Sequence, residues 1–443
     1  MKQIRFFSLL ILLLGLAHCG NAVDEVLESA VDEVLESASA EQNESEDHIT
    51  YANTTDTLSV TDIAPIPDDF PDDVRDNFDR YTQVIPPNGK PINLFAQSDL
   101  TDIQITHARD TLVFFLTDVP GSQYGADKSA VANQMGENEA TLMILNGAHE
   151  NDDFPLDEAQ SLFEEELVVP GSDWYIDNNF EHRDATFEEI FHLVQDAGIG
   201  IDGHNSQPGV LPAYQQDIRA ATNNATDDFQ IWPIDAPYDS AVMDEFESIF
   251  DLNNHTQEYI AVVIDSYYGL WGPYDEADGG MWGSYIAKTR ADVVAKDPMG
   301  LELIEQFLSP YLTYNAQLDP EFDGTFLMSY DDSEPYTHKS QYLLYATLTG
   351  SNDANLSGND QDNELGGNSG DNVLDGMDGF DTAIYPRQEN AYTITENDDG
   401  TITVVGDGTD TLVSIEAIQF ADDTMIWDVD SDESDEWDDE SDE

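Results

Sequence analysis

The chain has 443 residues, with 14 Lys and Arg against 93 Asp and Glu, and its formal net charge at pH 7 is −79. This length supplies two or three domains with a sizeable core, and the charge repels phosphate backbones and anionic lipid surfaces, which excludes nucleic acid as a partner. Divalent cations or a saline medium would screen the self-repulsion, so calcium, a halophilic or marine setting, or both are expected.

Lys2 and Arg5 precede the apolar run FFSLLILLLGLA, which His18 and Cys19 follow. Residues 1–18 therefore resemble a secretory signal peptide, too short for an ordinary membrane span. Leu16-Ala17-His18-Cys19 also resembles a bacterial lipoprotein processing box, which would place a lipid on Cys19 and give the chain its one route to a membrane. Export to the extracellular space or the cell surface is the expectation. Cys19 is the sole cysteine, so no intrachain disulfide forms. The octapeptide AVDEVLES then occurs twice, at 22–29 and 30–37, and residues 19–57 read as an acidic, solvated tether.

Globular composition begins at residue 58 and runs to 349. Pro-bounded segments such as IAPIPDDFP mark turns and edges, and TDIQITHARDTLVFFLTDV carries helical spacing. ADKSAVANQMGENEA suggests a second helix and ATLMILNG a buried strand, so helices and strands mix without regular alternation. GSQYGADK lacks the spacing of a phosphate-binding loop and reads as a turn. Farther on, LELIEQFLSPYL predicts a helix, and KSQYLLYATL a helix or strand.

The stretch TFEEIFHLVQDAG, 186–198, is amphipathic at helical period through Phe187, Ile190, Phe191 and Val194. Glu188 and His192 stand at i and i+4, and Glu189 at i−3 from His192, so two metal-ligand side chains and a spare carboxylate meet on one face. Thr186 and Glu189 also have the spacing of a capping box, under which His192 is an ordinary half-buried histidine. The motif resembles the HExxH helix of zincin metallopeptidases, with Glu188 where that family has its first His. The resemblance implies zinc held by Glu188 and His192 and a general base at Glu189. His182 and His204 flank the helix in polar, turn-like text and read as surface histidines.

In QEYIAVVIDSYYGLWG, 257–272, a helix would put Glu258, Ala261, Val262 and Asp265 on one face. The segment resembles the downstream helix of the Glu-ligand zincins, which implies Glu258 as third zinc ligand and Asp265 as its outer partner. A core helix or strand with Glu258 in solvent is the other reading. The aromatic residues that follow, among them Trp271, Tyr274 and Trp282, suit a substrate cleft or an ordinary core.

From Gly358 a nine-residue period takes over: GNDQDNELG (358–366), GNSGDNVLD (367–375) and GMDGFDTAI (376–384). Gly opens each unit, Asn363, Asn372 and Asp381 fill the sixth place, and Leu365, Leu374 and Ala383 the eighth. Such units pair a turn rich in oxygen ligands with a short strand burying one aliphatic side chain. They resemble the hemolysin-type (RTX) calcium-binding repeat, which implies a parallel β-roll over 350–385 and calcium held by Asn359, Asp360, Asp362, Asn363, Asn368, Asp371, Asn372, Asp378 and Asp381. Residues 386–427 alternate as strands capping the roll, and 428–443 form an acidic tail. The two acidic ends, 24–47 and 428–443, hold 10 and 11 acids, so most of the 93 lie on the folded part.

The fold class read from the sequence is thus α+β, a zincin-like central domain followed by a short parallel β-roll with a β-rich cap. The function expected is that of an exported calcium-binding protein with a zinc-dependent, peptidase-like hydrolase domain acting on a peptide or protein substrate. The alternative is a non-catalytic, calcium-binding surface, structural or adhesion protein on the same scaffold.

Overall fold

The computed structural model describes residues 58–148, 154–156, 159–180, 183–201, 209–227, 230–234 and 252–426. The signal segment, the duplicated octapeptide, Cys19, His182, His204 and the acidic tail lie outside the described residues. The fold is mixed α+β with parallel-rich sheets, none of them a closed barrel.

The first sheet joins β1 (Ser59–Val60), β2 (Ala64–Pro65), β3 (Arg80–Ile85), β4 (Ile92–Ala96), β5 (Thr141–Leu145) and β6 (Gln160–Phe163). β3 and β4 are antiparallel, whereas β4, β5 and β6 are parallel. Successive side chains of a strand point to opposite faces. Leu94, Leu142, Ile144 and Leu162 therefore enter the main core, while Phe95, Met143 and Phe163 enter a smaller cluster with Val74 and Phe78. Burial on both faces explains why TLMIL is apolar throughout instead of alternating. The helix Asp102–Leu116 begins at a capping box between Thr101 and Gln104. It packs against the helix Thr186–Val194, which in turn lies on β6 and against the helix Leu252–Tyr267.

From Leu312 onward the chain is a coil of two sheets. β8 (Thr325–Leu327), β10 (Asn355–Ser357), β12 (Val373–Asp375) and β16 (Thr409–Val413) run parallel in one sheet. β7 (Leu312–Gln317), β9 (Leu343–Thr347), β11 (Glu364–Gly366), β13 (Thr382–Ile384) and β17 (Ala417–Gln419) run parallel in the other. The chain changes sheet at each step, so strands nine residues apart face each other and strands eighteen apart pair in register. One apolar side chain per strand points inward: Phe326, Leu356, Leu374 and Leu412 align in one sheet, and Ala346, Leu365, Ala383 and Ile418 in the other. All eight are buried. At about 25 cal/mol per Å² of apolar area, each Leu, Ile or Phe among them contributes on the order of 1.5–3 kcal/mol and the two alanines less. Antiparallel strands β14 (Thr393–Glu396) and β15 (Ile402–Val405) extend one sheet, and β18 (Thr424–Ile426) the other.

The coil begins earlier than its glycine-rich text. β7, β8 and β9 carry none of the nine-residue signature yet pair in its two sheets, so residue 350 divides neither sheet from its neighbours. β7 also packs on the Asp102–Leu116 helix, and its Tyr314 ring stands 6.4 Å from that of Phe187 on the helix 186–194. A second difference concerns helix entry. Thr186 is a buried residue inside the helix rather than its cap, and Ala185 holds the cap position without a side-chain bond. Asp184 takes over, its Oδ1 accepting the Thr186 N–H at 3.1 Å. The helix ends in a widened turn over Gln195–Ile199, closed by the Gly200 N–H donating to Gln195 O at 2.8 Å.

Candidate metal centre

The helix 186–194 forms because its five large apolar residues seat in the core, leaving one strip for Glu188, Glu189 and His192. Burial of that strip is completed by the helix 252–267, whose Tyr259, Ile260, Val263 and Ile264 are buried. Its anchor is Asp297: Oδ2 accepts the hydroxyls of Tyr259 at 2.7 Å and Tyr285 at 2.8 Å, and Oδ1 accepts the Gly300 N–H at 3.0 Å. Tyr259 being pinned, its neighbour Glu258 is aimed across at the first helix.

Glu188, His192 and Glu258 each present one ligand atom, and these three atoms lie within 4.8 Å of one another. Glu188 and His192 are buried and Glu258 is partly so. His192 Nδ1 stands 3.5 Å from Glu189 Oε2, and its other nitrogen, Nε2, is buried without a hydrogen-bond partner. Glu189 Oε2 also accepts Gln160 Nε2 from β6 at 2.6 Å. Asp265, two turns past Glu258, is buried with Oδ2 accepting Trp271 Nε1 at 3.3 Å and Oδ1 unpartnered.

Sequence reading missed the cation of this cluster. Arg183 forms an ion pair with Glu188 Oε2, and its charge also acts on Asp265 and Glu189. The signal was its scarcity, because an arginine three residues before an acidic helix is an expensive choice in a chain with 14 basic residues. Burial alone would raise the Glu188 carboxyl. The Arg183 guanidinium, then His192 and a hydrogen bond from Glu258, more than reverse this and hold it below the usual carboxylate range. Glu258 shows the opposite outcome: burial and the neighbouring Glu188 push it up to about 7 despite His192. Burial would lower His192, yet its bond to Glu189 and the charges of Glu258, Glu189 and Glu188 push it up to about 10. Burial and Glu188 raise Asp265 well above the carboxylate range. Without metal, protons and Arg183 thus balance the carboxylates.

The donor set fits a divalent ion. Two carboxylates and an imidazole are hard and borderline ligands suited to zinc, and three protein ligands leave a position open, as in catalytic sites. The Arg183 contact falls on Glu188 Oε2, and a metal held by Glu188 and Glu258 would replace the hydrogen bond those two carboxyls share. Beside the cluster, Arg183, Asp184, Lys339, Trp174, Phe180 and Trp271 line a cavity of about 20 Å³.

In the repeat region, Asn359, Asn363, Asn372 and Asp381 are buried and Asn368 is half-buried, while Asp360, Asp362, Asp371 and Asp378 are exposed. The outer carboxylates cap backbone donors on the next turn: Asp362 Oδ1 accepts Phe380 N at 2.9 Å and Asp371 Oδ1 accepts Thr409 N at 2.8 Å. Each opening glycine makes room for its unit's sixth residue. A Cβ on Gly358 would lie 2.3 Å from Asn363 Oδ1, on Gly367 2.7 Å from Asn372 Oδ1, and on Gly376 2.4 Å from Asp381 Oδ2.

Among the described residues, no helix is long and apolar enough to cross a membrane. No protein-family model, curated protein or solved structure matches the chain.

Proposed function

We propose that this protein is an exported, zinc-dependent hydrolase of peptide-like bonds, with zinc held by Glu188, His192 and Glu258. One observation carries the reading: three ligand atoms converge within 4.8 Å, and one partner there, His192 Nε2, is buried with nothing to bond. A buried polar atom left unpaired costs roughly 1–3 kcal/mol, a cost that a bound ion removes. Zinc supplies Lewis-acid polarisation of a carbonyl and makes water more acidic. Glu189 acts as general base. Both of its contacts fall on Oε2, so Oε1 takes the proton from water and returns it to the leaving amine. Gln160 fixes that carboxylate, and Arg183 keeps Glu188 ionised and therefore able to bind metal. In the same reading calcium binds in the C-terminal coil, which is a roll of hemolysin type, and stabilises it.

A second reading, a non-catalytic calcium-binding surface protein, draws support from Arg183 and the protonated His192, which together balance the buried carboxylates without metal. Metal content of the purified protein after exhaustive dialysis separates the two. One zinc per chain in wild type, absent from His192→Ala, with Glu189→Gln keeping zinc but losing peptide hydrolysis, supports the hydrolase. Calcium without zinc in all three leaves the binding protein.

A further inference from the structure

The third nine-residue unit departs from the first two at two places that face each other, the second and the sixth. In the first unit, Asn359 N donates to Asn363 Oδ1 at 2.7 Å and Asn363 Nδ2 donates back to Asn359 Oδ1 at 3.1 Å. The remaining donors reach carbonyls of the turn below: Asn359 Nδ2 to Leu343 O at 2.8 Å and Asn363 Nδ2 to Leu344 O at 3.3 Å. The second unit repeats the pattern. Asn368 N donates to Asn372 Oδ1 at 2.9 Å, and Asn372 Nδ2 to Asn368 Oδ1 at 3.0 Å. Asn372 Nδ2 also reaches Ala354 O at 2.8 Å, and Asn368 Nδ2 reaches Thr349 O at 2.9 Å.

The third unit has Met377 at the second place and Asp381 at the sixth. Met377 is exposed and has no amide to offer. Asp381 Oδ1 accepts Asn363 N at 2.7 Å, but Oδ2 is buried and unpartnered, in a residue that is 0% exposed. Over Gly376, where a Cβ would sit, Asp381 Oδ2 at 2.4 Å and Ser414 O at 2.2 Å line the space, two acceptors with no donor between them. Glu416 stands alongside, its Oε2 accepting Asp381 N at 2.7 Å.

We infer that asparagine amide pairs close the first two units without a cation, and that the repeats take a hard divalent cation only at Asp381. The inference rests on the reading of the coil as a calcium-binding roll and departs from a site in every unit. Its physical basis is polarity. An amide nitrogen presents two N–H dipoles to the carbonyls that a cation would otherwise gather, so an ion placed there would meet donors instead of acceptors. At Asp381 the unpartnered Oδ2 and the Ser414 carbonyl oxygen are both acceptors, the kind of oxygen ligand calcium selects.

The test is calcium titration of the full chain by calorimetry in 1 M NaCl, which screens the exposed acids. It is paired with thermal unfolding in chelator and in excess calcium. The expected result is one saturable calcium in wild type, absent from Asp381→Asn, with the variant's unfolding temperature no longer responding to calcium. Asn372→Asp supplies a second arm should Asp381→Asn fail to fold. Its new carboxylate faces Ala354 O and Asn368 Oδ1, so the variant loses stability in chelator and regains it in calcium, with a second ion bound. Two or more saturable ions in wild type, or Asn372→Asp without added calcium dependence, overturn the inference while leaving the roll a calcium binder. No saturable calcium in wild type overturns the inference and the calcium reading of the roll together.

Discussion

Lys128→Met tests how this acidic fold handles a buried cation. Lys128 is 0% exposed, its Nζ donating to Phe115 O at 3.0 Å and standing 4.4 Å from the Phe307 ring centroid. Burial pushes its amine from the ordinary 10.5 to about 7, against the opposing pull of Asp118. Between about pH 7 and 10.5 the unfolded chain therefore binds one more proton than the folded one. Stability must rise with pH across that window by up to about 1.4 kcal/mol per pH unit. Below about pH 7 both states carry the proton and the cost of burying the charge is fully present; above about 10.5 neither carries it. Met fills similar volume without the charge. Allowing about 1–2 kcal/mol for the lost contact with Phe307, Lys128→Met is expected to be roughly 2–4 kcal/mol more stable than wild type near pH 7, the difference closing by pH 10. Urea unfolding at pH 6 to 10 in constant 1 M NaCl measures this. A difference that stays flat from pH 7 to 10 would refute the argument, because it would mean that Lys128 keeps its ordinary pKa.

On the zinc reading proposed above, the metal would displace the protons held by His192, at about 10, and Glu258, at about 7, so affinity should strengthen with pH. Calorimetry in buffers of different ionisation heat should count about two protons released at pH 6 and about one at pH 8. Asp297→Asn removes an acceptor of two tyrosine hydroxyls and should cost about 2–4 kcal/mol in urea unfolding, with weaker zinc binding because Glu258 loses its footing. Leu374→Ala, a fully buried position of the coil, should cost about 3–5 kcal/mol in the same assay. Gly376→Ala should cost more than Gly367→Ala: its Cβ meets the Ser414 backbone oxygen at 2.2 Å, whereas the nearest atom to the other is the Asn372 side chain at 2.7 Å.

The coil was legible where geometry imposes a period. Leu356, Leu365, Leu374 and Ala383 recur every nine residues because each half-turn has one inward place. It was not legible over β7 to β9, where Ala316, Phe326 and Ala346 fill the same inner stack without the tight glycine turns that make the period visible. At the metal centre, helical spacing brought Glu188 beside His192, and it aligned Glu258 with Asp265. The pairing of the two helices, and Arg183 between them, depend on tertiary packing that no local spacing encodes. The asparagine pairs were visible as letters, but their hydrogen bonds depend on carbonyls contributed sixteen to nineteen residues earlier.

β7 belongs at once to the coil and to the packing of the helix Asp102–Leu116. The repeats are therefore no detachable cassette. A recombination event or protease cut near residue 350 would leave bare edges on both fragments, β8 and β9 losing β10 and β11 as partners. A cut upstream of Leu312 would keep the rungs together but would strip β7 from the helix Asp102–Leu116, so one continuous core ties the repeats to the rest of the described chain.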